Sequence, residues 1–109
     1  FSRDHLLDMN LTEDDIETIL VDTMTGAELV KDFGDCDILL IDVEGAEDAV
    51  LKSFDFSVWK PKIIIFESSY LMKDNKMDFV MNLLKTRQYN VLLTEPDAFA
   101  VYDSTLVAK

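Results

Sequence analysis

The chain of 109 residues has few of the residues on which metal sites, disulfide frameworks and flexible linkers depend. It holds one cysteine, one histidine, three glycines and two prolines. A single cysteine cannot form an internal disulfide, and it fits a reducing compartment. The histidine, His5, lies alone in a polar opening stretch, so we predict no Ser-His-Asp triad, and no cluster of residues offers zinc ligands. Since the three glycines are isolated, a glycine-rich phosphate loop is excluded. We interpret the chain as one continuous domain.

Basic residues are also scarce. Ten Lys and Arg stand against 22 Asp and Glu, for a net charge of −12. This balance argues against nucleic acid or an anionic membrane as the main partner, because both need clustered Lys and Arg. Residues 1–55 hold sixteen acids and three bases, so the excess lies in the first half. A solvated acidic face is one interpretation, and a surface that attracts a cation or a basic partner is the other.

Long apolar runs are absent as well, since the longest have four or five residues. A membrane-spanning helix needs about 20, and the charged opening has no signal-peptide pattern. We therefore predict no transmembrane segment and favour a cytoplasmic location. The hydrophobic content of 49% and the length nevertheless suit one domain with a real core.

Several short apolar segments predict strands. Residues 37–43 and 63–67 carry apolar runs without polar alternation, which is typical of strands buried on both faces. The β-branched content of residues 19–21 favours an earlier strand. Residues 91–94 and 99–102 flank a turn and predict an antiparallel β-hairpin.

Capping signals and helical periodicity predict helices between these strands. Thr25 and Glu28 form a capping box, and Gly34 is placed to end the helix that they begin. A second helix is predicted from about Ala46, and the strongest helical pattern covers residues 74–88. Alternating strands and helices predict an α/β domain, with a mostly parallel sheet, helices on both faces and the antiparallel hairpin at its C-terminal end.

Candidate site residues follow from this topology. Ligands of open parallel sheets bind beyond the carboxyl ends of the strands. Asp42 and Glu44 follow the first apolar strand and Glu67 ends the second, so their carboxylates converge if the strands are neighbours. Such groups can accept a proton, hydrogen-bond a hydroxyl or bind a divalent cation. Gly45 allows close approach to its backbone. Capping and a solvated strand end remain alternatives for Asp42 and Glu67.

The combination of residues 41–47 (IDVEGAE), 50–52 (VLK) and 60–67 (KPKIIIFE) resembles the FkbM family of methyltransferases. The resemblance covers roughly residues 19–95. It implies a class I methyltransferase fold, which is a Rossmann-like three-layer sandwich with an antiparallel last strand. It also implies transfer of a methyl group from S-adenosylmethionine to an oxygen, often a hydroxyl of a sugar or small molecule.

The resemblance also implies roles for individual residues. Asp42 would lie beside the methyl donor and orient or deprotonate the acceptor hydroxyl. Gly45 would form the turn at the cofactor, and Glu44 and Glu67 would complete the catalytic rim. The family's glycine-rich turn and ribose-binding acid have no counterpart among these residues. We therefore expect residues 1–109 to be the C-terminal half of the domain, inactive alone, with most of the S-adenosylmethionine site elsewhere.

Two other hypotheses remain open from the sequence. One is a non-catalytic module of this fold that binds a partner, for which an unpaired sheet edge would permit self-association. The other is a divalent-cation site at Asp42 and Glu44. Under the leading hypothesis the expected partner is a small-molecule or glycan hydroxyl acceptor.

Overall fold

The computed structural model describes residues 3–106, apart from the side chains of Arg3 and His5. Its strands form one four-stranded sheet. No helix in this range is both long enough and apolar enough to cross a membrane. The helices are α1 (Arg3–Asp8), α2 (Gly26–Phe33), α3 (Glu47–Ser53), α4 (Ser69–Lys73) and α5 (Met77–Thr86), and the strands are β1 (Ile38–Ile41), β2 (Ile63–Glu67), β3 (Tyr89–Leu93) and β4 (Asp97–Tyr102).

The sheet is mixed, with the strand order β1-β2-β4-β3. β1 pairs in parallel with β2, and Ile41 lies opposite Phe66. β4 pairs antiparallel with both β2 and β3, so the predicted C-terminal hairpin is confirmed. Three strands therefore run in one direction as predicted, but the last strand lies between two of them. This insertion makes two of the three strand pairs in the described sheet antiparallel.

The core lies between one face of this sheet and the helices α3 and α5. Ile64 and Phe66 of β2 are buried on this face, and Leu51, Val80 and Leu84 cover them from the helices. Burial of each such side chain contributes about 1.5–3 kcal/mol relative to exposure. Between α3 and β2 an aromatic cluster continues the core, with ring centroids of Phe54, Phe56 and Trp59 between 5.1 and 6.2 Å apart.

The opposite face of the sheet is open in the part of the chain that the structure describes. Alternate strand residues point to opposite faces. Ile38 and Leu40 of β1 are accordingly 57% and 69% exposed, and Leu92 and Val101 are exposed on the other strands. The prediction that the first strand is buried on both faces is therefore wrong for residues 3–106. The core helices pack against the other face, so only that face is covered.

The predicted strand at residues 19–21 is also wrong. Residues 16–25 have no regular structure, and Leu20 is 99% exposed. β-propensity largely expresses packing against neighbouring strands, and the described sheet ends at β1 without a strand beside it. The local preference of these β-branched residues is therefore not realised.

Helix boundaries follow the capping signals where such signals exist. Thr25 is the N-cap of α2, with reciprocal hydrogen bonds to Glu28 of 3.1 and 2.7 Å, and Gly34 ends the helix at φ 86°. The predicted helix over residues 74–88 is shorter, because Asn75 adopts φ 57° and α5 begins at Met77. Neither α1 nor α4 is among the helices that the sequence pattern predicts.

We expect Leu51→Ala to lower the free energy of unfolding by about 2–5 kcal/mol, because it removes a side chain with no solvent exposure and leaves a cavity. Urea denaturation followed by circular dichroism measures this loss. Leu20→Ala is the matched control, since the same change at a 99% exposed position should stay within about 0.5 kcal/mol. Equal effects of the two substitutions would contradict the core described above.

Candidate functional site

A cleft of about 360 Å³ opens at the carboxyl ends of β1 and β2. Because the two strands are parallel neighbours, the residues that follow them meet at one edge of the sheet. One carboxylate oxygen each from Asp42, Glu44 and Glu67 lie within 4.8 Å of one another. The predicted convergence of these three acids is therefore confirmed. The cleft is lined by Leu40, Ile41, Asp42, Glu44, Ile65, Phe66, Glu67, Pro96 and Asp97.

The turn after β1 has an unusual backbone. Glu44 and Gly45 both lie in the left-handed region, at φ 52° and 105°. Glycine adopts this conformation freely, whereas a residue with a side chain loses roughly 1–2 kcal/mol. The Glu47 carboxylate stabilises the turn, because it accepts hydrogen bonds from the backbone N–H of Val43 at 3.3 Å and of Gly45 at 3.0 Å. Glu47 itself is fully buried.

Tyr70 packs against this turn. A Cβ built at Gly45 would lie 3.5 Å from the Tyr70 ring, so the ring packs against the glycine. Gly45 therefore faces Tyr70 and is not among the residues lining the cleft. The Tyr70 hydroxyl donates a hydrogen bond to Glu44. Partial burial is the largest of the effects that raise the pKa of Tyr70, and the negative charge of Glu44 is the next. Tyr70 is thus a protonated donor at neutral pH.

The far wall of the cleft comes from the start of β4. Ser68 follows β2, and its backbone N–H and hydroxyl both donate to the Pro96 carbonyl, at 2.9 and 3.1 Å. Glu67 lies opposite Asp97 in the β2–β4 register. These contacts bring a fourth acid, Asp97, to the cleft.

The close acids affect one another electrostatically. Partial burial raises the pKa of Glu67, and negative charge nearby raises it further. The carboxylates responsible for this charge are, in descending order of effect, Glu44, Glu47, Asp42 and Asp97. Like charges at short range disfavour simultaneous ionisation. Glu67 is thereby held closer to protonation than an isolated glutamate.

The lining residues provide carboxylates and neither Lys nor Arg. Such a cleft can hydrogen-bond hydroxyl groups, accept a proton and attract positive charge. Carboxylate oxygens are also what a divalent cation prefers. However, any two adjacent parallel strands that both end in acids produce this convergence, so the cluster alone does not assign an ion.

Three contributors to this site were not assigned to it from the sequence. Glu47 follows Gly45 by two residues, a spacing that allows its side chain to reach back to the turn. Tyr70 lies on the five-residue helix α4, whose N-cap residue Ser68 makes no side-chain capping hydrogen bond. Asp97 reaches the cleft only through pairing between β2 and β4.

We expect Glu67→Gln to raise the free energy of unfolding at pH 7. Because the pKa of Glu67 is higher in the folded state than in the unfolded state, protonation of this side chain stabilises the fold. The stabilisation is complete below the unfolded-state pKa of about 4.3 and is lost as the pH rises through the folded-state pKa. A neutral amide escapes this loss, so the gain should vanish below about pH 4. Urea denaturation at several pH values measures it, with Glu17→Gln as an exposed control. If Glu67→Gln is less stable than the wild type at pH 7, the repulsion between Glu67 and the neighbouring carboxylates is contradicted.

Comparison with known proteins identifies the family. A family model described as the methyltransferase FkbM domain matches residues 2–91. No curated protein and no solved structure matches significantly. The matched range includes β1, β2 and the three converging acids, and it extends further toward the N-terminus than the resemblance seen in the sequence. The chain therefore belongs to the FkbM methyltransferase domain family.

Proposed function

We propose that this chain contributes the acceptor side of an S-adenosylmethionine-dependent methyltransferase that methylates a hydroxyl oxygen of a sugar or another small molecule. Family membership supports methyl transfer in general. The observation that carries the finer proposal is the convergence of Asp42, Glu44 and Glu67 at the carboxyl ends of two parallel strands. Ligands of open α/β sheets bind at this edge.

The charge of the cleft fits the proposed methyl donor. S-adenosylmethionine supplies a methyl group activated by a positive sulfonium. A cleft lined with carboxylates and without Lys or Arg is complementary to that charge. Asp42 is the residue of this chain that we propose to contact it, whereas Gly45 packs against Tyr70 and shapes the turn beside Asp42 without lining the cleft.

The residues of the chain then act on the acceptor. Methyl transfer to a hydroxyl forms an O–C bond, breaks the S–C bond and requires the hydroxyl proton to leave. Asp42 is exposed at the end of β1, where its carboxylate can orient the hydroxyl and take this proton. Glu44 and Glu67 provide further acceptors for sugar-like hydroxyls, since one carboxylate oxygen of each lies within 4.8 Å of the other and of one from Asp42. Much of the rate of such a displacement comes from positioning.

We further propose that the mixed sheet belongs to a Rossmann-like three-layer domain. The exposed apolar residues Ile38, Leu40, Leu92 and Val101 support a second helical layer, because such a face is rarely left open. The parallel pair β1–β2 and the right-handed connection expected through α3 agree with this architecture.

Calorimetric titration of the full-length protein with S-adenosylmethionine, Mg²⁺ and Mn²⁺ tests the proposal. We expect heat from the cofactor without added metal. Heat from metal alone would instead support a divalent-cation site at Asp42 and Glu44. Absence of heat from all three would support a non-catalytic, partner-binding module and overturn the proposed methyl transfer.

We expect Asp42→Asn to lower methyl transfer by the full-length protein about 10²–10⁴-fold, the range typical of a lost proton acceptor. Transfer of labelled methyl groups to a panel of hydroxyl compounds measures the loss. Asp37→Asn is the matched control, since Asp37 precedes β1 at its opposite end, where it pairs with Lys62 at 3.5 Å. Equal rates for the two variants would remove Asp42 from the reaction.

A further inference from the structure

We propose that Glu47 is a positioning residue of this site, whose buried carboxylate holds the 42–45 turn in the shape that presents Asp42 and Glu44 to the cleft. This inference rests on the proposed function of the same site. It concerns a residue that does not line the cleft. Glu47 acts through its neighbours, and it contacts neither acceptor nor methyl donor.

The first support is the burial of the Glu47 side chain. Its exposed fraction is 0%, although glutamate is among the residues least often buried completely. A buried polar group is costly unless it is hydrogen-bonded. Both Glu47 oxygens are used, since one accepts from Val43 N–H and the other from Gly45 N–H.

The second support is the conformation that these two bonds maintain. The bonded amides flank Glu44, which has φ 52°, and Gly45 itself has φ 105°. Left-handed residues persist where surrounding contacts over-determine them. The Tyr70 ring packs against Gly45, and the Glu47 carboxylate accepts hydrogen bonds from the Val43 and Gly45 amides of the same turn.

The third support is the position of the turn relative to the acids. Asp42 immediately precedes the first bonded amide, and Glu44 lies between the two amides. The turn therefore sets the distance from these carboxylates to Glu67 on the neighbouring strand, which is 4.8 Å or less between the nearest ligand oxygens. A displacement of about 1 Å at reacting groups can lower a rate about 10²-fold.

The test uses Glu47→Gln in the full-length protein. An amide keeps the shape of the side chain but replaces one acceptor with a donor, which faces a backbone N–H. We expect kcat for methyl transfer to fall about 10–100-fold with the KM for the acceptor changed less than threefold. Asp48→Asn removes the same charge one residue later, where Asp48 pairs with Lys76 at 3.6 Å, and should keep kcat within about twofold.

A double-mutant cycle separates positioning from general destabilisation. If Glu47 acts through Asp42, Glu47→Gln should cost kcat less than threefold in an Asp42→Asn background. The same loss in both backgrounds, or a rate for Glu47→Gln equal to that for Asp48→Asn, would overturn the proposal. If Glu47→Gln does not fold, Glu47→Asp takes its place in the test. This variant keeps the charge but shortens the side chain, and we expect it to lower kcat by a similar factor.

Amide hydrogen exchange gives a readout that does not need activity. In the wild type we expect the Val43 and Gly45 amides to be protected, and in Glu47→Gln or Glu47→Asp to exchange at least tenfold faster while β2 amides stay unchanged. Unprotected Val43 and Gly45 amides in the wild type would overturn the role of Glu47. Protected amides in a protein that transfers no methyl group would instead reject the proposed function and leave the turn as described.

Discussion

The parallel pairing of β1 with β2 is the constraint on which the rest of the site depends. Parallel strands place their carboxyl ends at the same edge, so the residues that follow Ile41 and Phe66 must meet. Two acidic strand ends that are 25 residues apart in sequence thereby enter one cleft. Without this pairing, Asp42 and Glu67 would be unrelated surface acids.

The pairing is held by the core on one face of the sheet. Ile64 and Phe66 are fully buried under α3 and α5, so β2 is the strand around which the described fold is organised. Its end is fastened to β4 through Ser68 and the Pro96 carbonyl. Apolar burial thus determines where the strands lie, and a few polar contacts at the carboxyl end determine the shape of the cleft.

Part of the excess of acidic residues is located at the candidate site. Residues 1–55 hold most of the acids; two of these, Asp42 and Glu44, line the cleft, and a third, Glu47, accepts hydrogen bonds from the turn that follows Asp42. Glu47 differs from the other two because it is buried and bonded to the backbone. One short sequence segment therefore supplies both the acids that line the cleft and the buried acid that is hydrogen-bonded to their turn.

The sequence by itself determined the order of most strands and helices, the capped helix α2, the C-terminal hairpin, the family resemblance and the convergence of Asp42, Glu44 and Glu67. These features depend on local periodicity, capping chemistry and the general geometry of parallel strands. Only the tertiary structure decided that β4 inserts beside β2, that residues 19–21 form no strand, and that Glu47, Tyr70 and Asp97 join the site. Such features depend on contacts between segments that are distant in sequence, and neither strand propensity nor residue spacing specifies these contacts.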